Sequence, residues 1–128
     1  MDSDQYVWKD RVFLITEDEE VNFFYLKTLL KSTCAKIIRA KNGQEALDII
    51  NREERIDLIL MDINMPVMDG MEATRLIKSR HPEIPIIAQT AYTMSEDRNK
   101  CMQAGFNEYL AKPIRKNTLF PIMSGFLD

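Results

Sequence analysis

Five short apolar runs recur along the chain, and none of them alternates polar with apolar residues: "RVFLIT" (11–16), "AKIIRA" (35–40), "IDLILMD" (56–62), "IPIIAQT" (84–90) and "NEYLAKP" (107–113). A strand with one wet face shows a two-residue alternation, whereas a strand covered on both faces does not need one. Each run is followed by a segment of helical character. The pattern predicts a parallel sheet between two layers of helices, a doubly wound α/β sandwich of five βα units, because right-handed crossovers place helices on both faces. The 128 residues, 45% hydrophobic and 29% charged, suffice for one domain with one core and leave no case for two.

The intervening segments carry helix grammar. In "NGQEALDII" Asn42 is placed to cap and Glu45 to close a capping box, with Ala46, Leu47 and Ile50 on one face. "TMSEDRNKCMQAG" repeats the scheme, with Thr93 and Glu96 as the box, Cys101 and Ala104 facing inward and Gly105 as the stop. Ala73, Leu76 and Ile77 mark a third helix, and Leu119, Ile122, Met123 and Phe126 the last. The first helix, Glu20 to about Lys31, is apolar almost all round through "VNFFYLKTLL", which predicts a deep position. Pro121 lies inside the last helical pattern, where the lost hydrogen bond and ring clash predict a kink or a late helix start.

Twenty acidic residues against seventeen basic ones give a formal charge of -3, and no block of five like charges occurs. Direct binding to nucleic acid or to an anionic membrane, which needs a basic footprint, is not expected. The polar, acidic start "MDSDQYVWKD" is neither a signal nor a transit peptide, and no apolar run approaches membrane-spanning length. Cys34 and Cys101 are far apart and outside any CxxC pair, so neither a disulfide nor a zinc site is expected, and both read as small packing residues in a reducing cytoplasm. His81, the sole histidine, precedes Pro82 and reads as a surface turn residue.

In an open α/β sheet ligands bind beyond the carboxyl ends of the strands. Strand one ends on Glu17 and Asp18, strand three on Asp62, strand four on Thr90, and strand five just before Lys112. Three carboxylates, a hydroxyl and an ammonium therefore converge on one rim. Each like-charge pair at about 4 Å costs roughly 4 kcal/mol at an effective dielectric near 20, so positive charge has to sit among them. Lys112 offers one unit. A hard divalent ion such as Mg²⁺, or Mn²⁺, offers two and suits an all-oxygen site shared with a phosphoryl group.

The acidic pair after strand one, "DINMPVMDG" after strand three, "QTA" after strand four and "YLAKP" around strand five together resemble the receiver domain of two-component response regulators, from about Arg11 to Leu127. The resemblance implies a flavodoxin-like sheet in the order 2-1-3-4-5, with residues 1–10 as an N-terminal extension or linker and 11–128 as the receiver. It implies Asp62 as the phosphoacceptor, Asp18 and Glu17 as metal-site acids, and Asn64 as a ligand through its backbone carbonyl. It also implies Thr90 and Tyr109 as a conformational switch, and Lys112 as the phosphate-contacting lysine. Glu17 departs from the more usual aspartate; its longer side chain is expected to reach the ion through a water. Asn64 and Tyr92, each two residues past a site residue, are expected to tune the lifetime of the phosphoryl group, Tyr92 by shielding it from water.

The implied reaction is metal-dependent phosphoryl transfer from a partner phosphohistidine, carried by a histidine kinase or a histidine phosphotransfer domain, to Asp62. The domain itself would catalyse only its own phosphorylation and dephosphorylation. A carboxylate with an ordinary pKa of about 3.9 needs no general base at neutral pH. The partner is expected at the helix-one flank and the strand-end loops, and a phosphorylation-dependent dimer at the face of helix four, strand five and helix five. The leading "YVWKDRVFLITEDEEVN" is similar to the junction before a C-terminal receiver in hybrid histidine kinases, and the chain as given leaves no room for an output domain. Two other classes remain: a pseudo-receiver that binds partners without phosphorylation, and a haloacid-dehalogenase-like phosphohydrolase. The latter is disfavoured because Asn64 stands where its second acid belongs.

Overall fold

The computed structural model describes residues 6–52, 55–91 and 95–128. Strands β1 (Val12–Thr16), β2 (Lys36–Ala40), β3 (Leu58–Asp62), β4 (Ile86–Thr90) and β5 (Glu108–Ala111) alternate with helices α1 (Glu20–Leu30), α2 (Gly43–Asn51), α3 (Gly70–Arg80), α4 (Ser95–Ala104) and α5 (Lys116–Leu127). The strands pair in parallel in the order β2-β1-β3-β4-β5. The winding reverses between β1 and β3, so the crevice of the switch point opens where Glu17 and Asp62 leave the sheet.

The unalternating runs are explained by two cores. Leu14, Ile59, Met61, Ile86 and Ala88 point to one face, where Ala46 and Ile50 of α2, Ala73 and Ile77 of α3, and Cys101 and Ala104 of α4 cover them. Phe13, Ile15, Leu58, Leu60 and Ile87 point to the other, under Leu26 and Leu30 of α1 and Leu119, Phe120 and Met123 of α5. Successive residues serve opposite cores, so every position in β3 and β4 is buried. The stretch before β1 joins the second core: Trp8 is buried, its N–H donates to Thr33 O at 2.7 Å, and its ring meets Tyr6, Phe13 and Phe120.

The helix ends follow the sequence closely. Asn42 accepts from Glu45 N–H at 2.9 Å, and Glu45 returns the favour one residue early, to Lys41 N–H rather than to Asn42. Asp69 caps α3 in the same way through Glu72 N–H. At the end of α4, Phe106 N–H reaches Cys101 O and Gly105 N–H reaches Met102 O, with Gly105 at φ +111°, a Schellman stop at the glycine expected to provide it. Thr93 lies outside the described residues, as does the side chain of Glu96.

Several expectations need correction. Helix α1 is not deep: only Leu26 and Leu30 are buried, while Val21 is 84% and Phe24 69% exposed. Its other aromatics are accommodated by polar contacts, Phe23 beneath the Arg39 guanidinium and Tyr25 through a hydroxyl that donates to Ile114 O. Leu76 faces solvent and Thr74 takes the inward place on α3. Phe126 is 38% exposed, and Phe120 and Leu127 bury more completely. Cys101 packs in the core as expected, but Cys34, at φ +65° after α1, is exposed. Helix α5 starts at Lys116, well ahead of Pro121, so the late start is not observed.

Candidate functional site

The register of the sheet assembles the site. Thr16 lies opposite Met61, so the next residues along each strand, Glu17 and Asp62, emerge side by side. Thr90 lies opposite Ala111, which sets Lys112 beside it, and Lys112 N–H donates to Thr90 O at 2.7 Å. Glu17 and Asp62 are buried, Asp18 is exposed, and one carboxylate oxygen from each lies within 4.8 Å of the others. Lys112 Nζ is 3.0 Å from Asp62 Oδ2 and 3.3 Å from Glu17 Oε1. The three acids and the lysine of the rim read from the sequence are therefore brought together from the ends of β1, β3 and β5.

Two further residues hold the acidic loop. Arg39, at the end of β2, donates from Nε and Nη2 to Glu17 O, reaches Asp18 O, and pairs with Glu20 at 2.8 Å. Asn22, in the first turn of α1, donates through Nδ2 to Glu17 Oε1 and to Gln89 Oε1. Beyond Asp62, Asn64 is exposed and its N–H donates to Asp62 Oδ1 at 3.1 Å. The loop then takes a left-handed turn at Val67 (φ +70°) and returns at Gly70, whose N–H donates to Ile63 O at 2.9 Å. A Cβ at Gly70 would fall 2.2 Å from Asp62 O, so only glycine permits the start of α3 to close on the end of β3.

Burial, then the charge of Glu17, pushes Asp62 up to about 6, with Lys112 pulling against both. That corrects the ordinary carboxylate value expected from the sequence: Asp62 is still mainly ionised at neutral pH, but with a narrow margin. Burial also works against an ionised Glu17, yet the hydrogen bonds from Asn22 and Glu19 N–H and the Lys112 charge outweigh it and hold Glu17 below its usual value. Lys112 is held above its own by the two acids despite its burial. Glu17 and Lys112 are thus a fixed anion and cation, and Asp62 is the group that responds.

Thr90 and Tyr109 are both buried, and Tyr109, 7% exposed, belongs to the core beneath α2, α3 and α4. Tyr92 lies outside the described residues. His81 ends α3 ahead of β4, at the end of the strands opposite the site, 3.6 Å from Glu83. Arg39, Asn22 and Gln89 were not singled out from the sequence. Gln89 carried a signal, a polar residue inside the apolar run "IPIIAQT", while Arg39 and Asn22 carried none: Arg39 lies 22 positions from Glu17, and Asn22 lies 67 from Gln89. Among the described residues no helix is long and apolar enough to cross a membrane.

Comparison with known proteins gives the same picture. The family model for the response regulator receiver domain matches residues 13–123. The polar-differentiation response regulator DivK of Brucella anthropi is 43% identical over 105 residues, covering 79% of this chain and 83% of DivK. Hybrid signal transduction histidine kinase I of Dictyostelium discoideum is 38% identical over 119 residues, 87% of this chain but 7% of that kinase. The receiver domain of sensor histidine kinase PA1611 from Pseudomonas aeruginosa, solved with a magnesium ion coordinated in its active site cleft, superposes with a TM-score of 0.84 at 37% identity, over 91% of this chain and 97% of that one. The Saccharomyces cerevisiae receiver domain of Ssk1, solved with the histidine phosphotransfer protein Ypd1, has a TM-score of 0.83 at 30% identity, covering 91% of this chain and 88% of that one. With its sheet order, its rim of strand-end acids and these relatives in agreement, the chain belongs to the response regulator receiver domain family.

Proposed function

We propose that Asp62 is the phosphoacceptor of a two-component phosphorelay and that it takes its phosphoryl group from a phosphohistidine on a partner kinase or phosphotransfer domain. The observation that carries this reading is the placement of Asp62 at the end of β3, 3.0 Å from the Lys112 ammonium and within one cluster with Glu17 and Asp18. The cluster consists of carboxylates alone, which fits Mg²⁺ or Mn²⁺ and not a nitrogen- or sulfur-seeking metal. Glu17, Asp18 and Asp62 would hold the ion, with the Asn64 carbonyl as a further oxygen. When bound, the ion neutralises charge on the transferring phosphoryl oxygens.

Asp62 Oδ attacks phosphorus as the P–N bond of the phosphohistidine breaks. The imidazole leaves with the bonding electron pair and takes a proton from solvent. Lys112 moves from the carboxylate pair toward the new phosphoryl oxygens, which supply the negative charge it now finds on Asp62 and Glu17. The product is a mixed anhydride with three new acceptor oxygens. Thr90 Oγ1 donates to one of them, and as Thr90 moves inward it vacates space into which the ring of Tyr109 rotates. The phosphorylated state is one of two pre-existing conformations, selected by these added contacts. Asn64 and Tyr92 set how readily water reaches the acyl phosphate.

The exposed Val21 and Phe24 on α1, beside the acidic loop, form the partner's landing surface, and the α4–β5–α5 face is where a phosphorylated copy pairs with another. Residues 11–128 act as the receiver unit, as a separate regulator like DivK or as part of a hybrid kinase. Beryllofluoride, which mimics an aspartyl phosphoryl group, tests the reading. In Mg²⁺ it is expected to shift the backbone amide resonances of Asp62, Thr90 and Tyr109 saturably, and to leave Asp62→Ala unmoved. Saturable shifts that persist in Asp62→Ala, or their absence from the wild type, would overturn it.

A further inference from the structure

The acid ahead of Asp18 is a glutamate, with one more rotatable bond than an aspartate, so the direction of its carboxylate depends on what surrounds it. Glu17 is completely buried and meets three donors: Asn22 Nδ2 at Oε1, Glu19 N–H at Oε2 (3.2 Å) and Lys112 Nζ, 3.3 Å from Oε1. Lys112 is itself a cation and competes with a metal for the carboxylate. Asn22 is neutral, so its contact survives when a metal arrives.

Asn22 could present either end of its amide, and two acceptors, the Glu17 carboxylate and the Gln89 carbonyl, hold its Nδ2 end toward them. The Asn22 Nδ2 group reaches both Glu17 Oε1 and, at 3.3 Å, Gln89 Oε1. Turning the amide over would set Oδ1 against two acceptor oxygens. Gln89 is completely buried on β4, among residues that pack as hydrocarbon, and its Nε2 has no hydrogen-bond partner among the described residues. A buried amide with one end unpaired costs stability where a leucine would add to it. Among the described residues its side-chain hydrogen bond is with Asn22, and that contact accounts for a glutamine at this position.

We infer that Asn22, oriented by Gln89, is a positioning residue that aims the Glu17 carboxylate at the divalent-cation site. The inference rests on the metal-binding reading above. It ascribes to Gln89 an effect on metal affinity opposite in sign to its effect on stability, and makes that effect run through Asn22.

The test measures Mg²⁺ affinity by calorimetry and melting temperature in EDTA for the full chain and for Gln89→Leu, Asn22→Ala and the double variant. Both single variants are expected to bind Mg²⁺ about tenfold more weakly, the scale of lost outer contacts at metal sites. Gln89→Leu should melt at or above the wild-type temperature in EDTA, and the double variant should bind no worse than Asn22→Ala alone. Wild-type-like affinity in either single variant, additive losses in the double, or a fall in both affinity and melting temperature for Gln89→Leu would overturn the inference. A wild type that binds no Mg²⁺ is a different result, and overturns the metal-binding reading together with this one.

Discussion

At the residue scale, the metal-free site is under electrostatic tension, and Asp62 bears it. Its folded pKa of about 6 lies above its ordinary 3.8, so the folded state binds a proton more tightly than the unfolded chain. The stabilisation this provides is fully present below pH 4 and is lost as pH rises through 6. At pH 8 without metal, Asp62→Asn is therefore expected to be more stable than the wild type, by on the order of 2 kcal/mol in urea unfolding. Mg²⁺ should reverse the order, because it binds the wild type and so stabilises it. Equal stability in EDTA at pH 8 would contradict the account. The acids and the lysine were legible in the sequence because strand ends are visible as breaks in apolar runs. Arg39 and the Asn22–Gln89 pair were not, since they lie 22 and 67 positions from their partners and only the sheet brings them together.

At the scale of elements, cap chemistry marks where α2 and α3 begin and where α4 ends, and it is local enough to be read from the sequence. Asn42, Asp69 and Gly105 each act within a few residues of themselves. What was not readable is how closely elements approach. Gly70 looks like an ordinary turn glycine in "VMDG", yet a Cβ there would meet the Asp62 carbonyl. Gly70→Ala is expected to cost about 2–4 kcal/mol, as a backbone clash in a packed region does, and to weaken Mg²⁺ binding by displacing the β3 end; chemical denaturation and calorimetry check the two effects. Which face of α1 is buried was also hidden, because its apolar residues surround the helix and only the sheet selects Leu26 and Leu30. Helix α5 carries two local penalties: Pro121, which is exposed, and Gly125, around which a Cβ would have open space. Pro121→Ala should stabilise by about 1–3 kcal/mol and Gly125→Ala by about 0.5–1 kcal/mol, seen as a higher melting temperature with the site unaffected.

At the scale of the whole molecule, a parallel sheet covered by helices on both faces was legible because five unalternating runs separated by helices admit few topologies; the strand order came from the resemblance, and the single core expected is two, one on each face of the sheet. The surface was less so: Val21 and Phe24 looked like core residues and instead stand in solvent next to the acidic loop. As a docking surface they should matter to a protein donor and not to a small one. Phe24→Glu is expected to slow phosphoryl transfer from a phosphorylated partner domain tenfold or more while leaving phosphorylation by acetyl phosphate unchanged, and equal slowing with both donors would contradict that role. The central claim, that Asp62 receives a phosphoryl group with a metal's help, is tested most directly by intact mass after incubation with acetyl phosphate, with and without Mg²⁺, beside Asp62→Asn. A gain of one phosphoryl group is expected that requires the metal, is absent from Asp62→Asn, and decays once the donor is removed. A gain that persists in Asp62→Asn, or a folded wild type that gains nothing in Mg²⁺ from either acetyl phosphate or a phosphohistidine donor, would contradict it.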